Sequence, residues 1–147
     1  MDFEQLAFIE KWRRRASRGA VVALDMTRGD VLITMRAGEL GRALDLRGRD
    51  ETAAVRKQRL TLGDRIFAAF RYRVVDVVPA TGATTDRLIA KGAEVEGTLT
   101  ATGELTEVDV DGLTLILEGE VLEPFAPGDA IRFRVADEGR AYVIPTR

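Results

Sequence analysis

From Gly19 to the C-terminus the chain is a series of short apolar runs cut at brief intervals by glycine turns. AVVALDM, then Arg-Gly-Asp, then VLITM reads as two strands joined by a turn, and IFAAFRYRVVDVV over 66–78 as a third. Further on, AEVEGTLTAT, ELTEVDV, LTLILEGEVL, AIRFRVA and AYVIP follow, punctuated by Gly103, Asp111-Gly112 and Glu138-Gly139. Alternation in EVEGTLT and IRFRV indicates strands with one face in a core and one in water. A chain written this way suits small barrels of short antiparallel strands.

The two halves resemble each other. Arg18-Gly-Ala-Val-Val22 matches Lys91-Gly-Ala-Glu-Val95, Gly29-Asp30 matches Gly103-Glu104, and Leu62-Gly-Asp-Arg-Ile66 matches Pro127-Gly-Asp-Ala-Ile131. The first copy carries extra residues at 47–60, RGRDETAAVRKQRL, which read as a short helix or basic loop. Pro79 to Thr85 has linker chemistry. The expected fold class is therefore mainly β with an N-terminal α-helix: segment 1–18 helical, a basic five-stranded OB-like barrel over 19–79, and an acidic one over 87–147.

Ahead of the first barrel, residues 2–17 have helical spacing. Phe8 and Trp12 are four apart, Leu6 and Ile9 three apart, and together they form one apolar stripe. Asp2 is placed to cap the start and Gly19 to end the helix in a left-handed turn. The last turn reads KWRRRASR, with five cations in eight residues. Cations there complement the carbonyl end of the helix dipole, though five exceed what a dipole calls for.

Composition narrows the chemistry. The chain has no cysteine, no histidine and a single serine, Ser17, so thiol chemistry, zinc fingers and serine triads are excluded. Asp109 and Asp111 could share a strand face as a carboxylate pair, but Asp-Gly is foremost a hairpin signal. The expectation is a protein that is not an enzyme, with no metal and no cofactor. No run is long enough to cross a membrane and the N-terminus is acidic, so a cytoplasmic protein with no membrane partner is expected. Charge is divided: residues 1–75 hold 16 Lys and Arg against 10 Asp and Glu, and residues 76–147 hold 6 against 14.

From Trp12 to Asp76 the chain resembles the RNA-binding OB-fold repeat of the ribosomal S-one type. Trp12, Gly19, Val21-Val22, Arg28-Gly29 and Val31-Leu-Ile33 follow that family's helix, glycine, strand, turn and strand; Gly38 to Leu44 and Gly63-Asp64 to Val75-Asp76 follow its later stretches. The resemblance implies single-stranded RNA as partner, RNA before DNA. The family's stacking positions fall near Arg28, Val31 and Leu44, none of them aromatic, so charge would carry more of the affinity. The candidate nucleic-acid residues are Arg13, Arg14, Arg15, Arg18, Arg28, Arg42, Arg56, Lys57, Arg59, Arg71, Tyr72 and Arg73, with Phe67 read as core and Tyr72 as surface. Arg14-x-x-x-Arg18 also matches the first element of the PilZ cyclic-di-GMP motif, whose second element has no counterpart. The alternative reading is a protein-interaction module whose charged halves hold each other, a second copy, or a basic protein docked on the acidic half. If the listed arginines share a face, nucleic acid gains; if they pair with the acidic half, interaction gains.

Overall fold

Residues 3–119 and 124–145 are described by a computed structural model. The first element is the helix α1 (Phe3–Arg13), which ends short of the residue 17 expected, and Asp2 lies outside the described residues. Ten strands follow: β1 (Ser17–Thr27), β2 (Asp30–Ala37), β3 (Leu44–Asp50), β4 (Arg65–Pro79), β5 (Leu88–Ile89), β6 (Glu94–Ala101), β7 (Thr106–Val110), β8 (Leu113–Glu118), β9 (Ala130–Val135) and β10 (Arg140–Val143). A one-turn helix, α2 (Ala54–Lys57), interrupts them between β3 and β4, inside the stretch read as a short helix or basic loop. The protein is mainly β with an N-terminal helix.

Gly19 corrects the reading of where α1 ends. It sits inside β1, paired with Ala37 on one side and Ile66 on the other. A Cβ there would collide with the Arg36 carbonyl and the Met35 side chain, so glycine is required by close approach of β2 and not by a helix cap. The β1–β2 turn at Arg28-Gly29 and the β7–β8 turn at Asp111-Gly112 both have positive φ at their two central residues, 49° and 88° in one and 51° and 87° in the other. That is the type I′ geometry, which matches the right-handed twist of the flanking strands.

Strand pairing closes into two circuits. β1, β2, β3, β10 and β4 pair in turn, and β4 returns to β1. In the same way β4, β8, β7, β6 and β9 pair in turn, and β9 returns to β4. Strand β4 therefore belongs to both circuits: Arg65 to Arg71 pairs with β1 and β10, and Arg71 to Pro79 with β8 and β9. The chain's last strand, β10, lies in the first circuit, parallel to β3 and antiparallel to β4. By the same geometry, the later half of β4 lies parallel to β8 and antiparallel to β9. Each half thus lends its final strand to the other.

The internal repeat is visible bond by bond. Val21 accepts from Gly63 N–H (2.8 Å) and donates to the Asp64 carbonyl (2.8 Å); Leu99 accepts from Gly128 N–H (2.8 Å) and donates to the Asp129 carbonyl (2.9 Å). The Asp64 carboxylate accepts from Thr61 N–H and the Asp129 carboxylate from Ala126 N–H, each at 2.9 Å. A β-bulge follows Val21 in β1 and Leu99 in β6. The Gly-Asp match read from sequence is the structural one. The match of Arg18–Val22 with Lys91–Val95 is out of register, because these bonds align Gly19 with Gly97 and Val21 with Leu99. Gly97 has its own close approach, to the Asp109 carbonyl.

The main core runs through both circuits, from Ile33, Met35, Leu44 and Leu46 to Leu99, Val108, Leu115, Ile131 and Phe133. A second cluster, outside the circuits, seats α1. Trp12 packs with Ala69, Ile116 and Ile144, and its ring lies 4.1 Å from that of Tyr142 at 7°. Phe8 and Ile9 join this cluster, whereas Leu6 from the same stripe is exposed.

Candidate functional site

Three of the candidate cations of the first half are held by acids of the second. Arg15 bonds Glu107 of β7 at 3.0 Å and also donates to the Lys11 carbonyl, fastening the end of α1 to the second circuit. Arg71 pairs with Glu118 (2.8 Å) and Arg73 with Asp137 (3.1 Å). Two arginines outside the candidate set behave alike: Arg47 bonds Asp25 and Glu138, and Arg140 reaches Glu51. The opposite charges of the two halves are thus joined within one molecule. Arg28 is spent at the tip of a hairpin, with positive φ, and Arg42 is exposed in the β2–β3 turn, where its carbonyl accepts from Arg87. Arg56, Lys57 and Arg59 are exposed on and just beyond α2, and Arg13 and Arg14 are exposed at the end of α1.

The reading of Tyr72 as surface is overturned. Tyr72 is fully buried, and its hydroxyl lies 3.0 Å from the Arg47 carbonyl and 3.3 Å from the Ile89 carbonyl. Burial pushes its phenol well above the ordinary value of 10.0, against the pull of the Arg47 carbonyl bond. Phe67 is half-buried on the outer face, packed against the Trp12 cluster. The cause is the alternation of β4: Ile66, Ala68, Phe70, Tyr72 and Val74 are buried on one face, and Arg65, Phe67, Arg71 and Arg73 lie on the other, where Ala69 is buried as well.

Asp109 and Asp111 are employed in structure. Asp109 accepts from Gly112 N–H across the β7–β8 turn, and Asp111 pairs with Arg87 at 2.9 Å. Among the described residues no group of three or more acidic side chains is placed to hold a metal ion.

Three crevices merit comparison. One of about 330 Å³ is lined by Asp30, Asp50 and Glu51 beside Arg49 and Arg56. Another, of about 410 Å³ between α1 and α2, includes Glu51 with Lys57. The third, of about 140 Å³, is lined by Arg18, Gly19, Arg65, Ile66 and Phe67, with no carboxylate. Register explains the last. Arg18 stands opposite Phe67 and Ala20 opposite Arg65 on the paired strands β1 and β4, so both arginines and the phenyl ring share the outer face. The Arg18 guanidinium lies 4.9 Å from the Phe67 ring centroid. Neither arginine has an ion-pair partner among the described residues. Arg65 was absent from the candidates because it lies apart from the basic runs in sequence; only the β1–β4 pairing brings it beside Arg18.

No family model matches the chain, and no curated protein sequence does. Among solved structures, the chain is similar to the cytoplasmic molybdate-binding protein ModG, in a PEG-grown form with molybdate bound. The TM-score is 0.51 at 18% identity, and the match covers 90% of this chain and 96% of that one. The likeness extends across both halves and is one of fold. It corrects the expectation of a nucleic-acid-binding module with single-stranded RNA as partner: the neighbour is described as binding a small oxyanion. The ion pairs agree with that correction, because Arg15, Arg71 and Arg73 already have acidic partners and Tyr72 has no open face for a base.

Proposed function

We propose that the chain is a binding protein for a small inorganic oxyanion of the molybdate type, without catalytic activity, acting in the cytoplasm. In this reading the two strand circuits are OB-like five-stranded barrels. The observation that carries the function is the crevice lined by both Arg18 and Arg65 with no carboxylate in the lining. A guanidinium offers fixed, planar donors that suit the oxygens of an oxyanion, and it stays charged at every physiological pH. The Phe67 ring supplies an apolar wall, which strengthens charge-assisted bonds by excluding water. A fold neighbour that holds molybdate supports the choice of ligand class.

Calorimetric titration with sodium molybdate, and separately with sodium sulfate, tests the reading. A charge-assisted hydrogen bond contributes about 1.5–3 kcal/mol, so Arg18→Ala and Arg65→Ala should each weaken binding by roughly 10- to 100-fold. Both side chains are exposed, so the variants should melt with the wild type. Wild-type protein silent to both anions at low salt, or variants that bind as tightly as wild type, would sink the proposal.

A further inference from the structure

The repeat sets Glu96 of β6 where Arg18 stands in β1. Arg18 faces Phe67 across the β1–β4 pair, and Glu96 faces Arg132 across the β6–β9 pair. At this second position the carboxylate is surrounded by donors. It accepts from Thr81 N–H (2.9 Å), the Thr81 hydroxyl (3.0 Å), Gly82 N–H (2.9 Å) and the Arg132 guanidinium (3.4 Å). Consecutive backbone amides leading into a residue of positive φ, here Gly82 at 85°, form a concave cradle suited to an anion. Two amides, a hydroxyl and a guanidinium make up the donor set of an oxyanion site, and a side-chain carboxylate is itself an oxyanion on a tether.

We infer that the Thr81–Gly82 cradle with Arg132 is a second oxyanion site, which the chain fills with the carboxylate of Glu96. The donors also hold that carboxylate's pKa below its ordinary value of 4.5, the Thr81 amide contributing most. Being tethered, the carboxylate outcompetes free anions, so the native chain offers one site to solution and keeps this one shut. The count of one open site rests on the function proposed above; the cradle rests only on its own geometry. Arg132 also bonds Glu94, and that neighbouring acid keeps the vacated site weaker than one lined by free arginines.

Glu96→Ala empties the cradle. The backbone at 96 remains tied, because Thr85 Oγ1 accepts from Glu96 N–H (2.9 Å) and donates to the Glu96 carbonyl (3.3 Å). Titration of the full chain with sodium molybdate should therefore show one more bound anion per chain in Glu96→Ala than in wild type. Glu96→Ser replaces the alanine variant should that one fail to fold. The double variant Arg18→Ala/Glu96→Ala separates the two sites: one bound anion there supports the cradle whether or not wild-type protein binds. A folded Glu96→Ala or Glu96→Ser chain that gains no anion overturns the inference.

Discussion

Because β4 is common to both circuits and each half donates its last strand to the other, the halves should not unfold separately. Leu115→Ala tests this. Leu115 is fully buried in β8, within the second circuit. Truncation removes three carbons, and at about 0.8 kcal/mol per buried methylene the transfer loss alone is roughly 2.4 kcal/mol. The cavity left among closed strands adds to that, and buried Leu→Ala changes span about 2–5 kcal/mol. At about 2–4 °C per kcal/mol for a chain of this size, the midpoint should fall by roughly 5–20 °C. The first circuit has a matched probe: Leu46→Ala in β3 removes an equally buried side chain. Thermal unfolding would be followed by far-ultraviolet circular dichroism and by the fluorescence of Trp12, the only tryptophan. Its cluster touches strands of both circuits through Ala69, Ile116 and Ile144. Both variants should melt in one step, with coincident signals at a lowered midpoint. A biphasic melt of Leu115→Ala, with one phase left at the wild-type midpoint, would refute the coupling through β4.

Two further outcomes follow from buried aromatic groups. Trp12→Ala should cost about 3–5 kcal/mol, the usual loss for a buried tryptophan, and should free α1 from the sheet, read as amide exchange in residues 3–13 rising well above that of β4. Tyr72→Phe leaves the Arg47 and Ile89 carbonyls without the buried hydroxyl and should cost about 1–3 kcal/mol at neutral pH. Because the folded-state pKa of Tyr72 is raised, its protonated form is favoured in the fold, and that stability is present below pH about 10 and lost as pH rises further. Denaturant titrations at successive pH values should show the wild-type advantage over Tyr72→Phe shrinking above pH 10; a constant gap would count against a buried, protonated phenol.

The sequence by itself determined the local pieces. Strand runs, the glycine turns with their type I′ residues, the docking stripe of α1 and the recurring Gly-Asp closure are all written in a few consecutive residues, since turn chemistry and side-chain alternation act over that range. Even the duplication was legible there, although its register was not: only the backbone bonds of Val21 and Leu99 set Gly19 against Gly97. Tertiary structure decided the rest. Which circuit β10 joins is a choice among partners distant in the chain, and nothing in Arg140 to Val143 encodes it locally. The same choice buries Ala69 on the outer face of β4, whereas the inward turn of Tyr72, against its reading as surface, follows from strand alternation with Phe70 and Val74. It also sets the roles of the arginines. A basic run in sequence records only charge, whereas a binding site needs cations left unpaired and brought together, and strand pairing alone unites Arg18 with Arg65 while joining Arg15, Arg71 and Arg73 to acids of the other half.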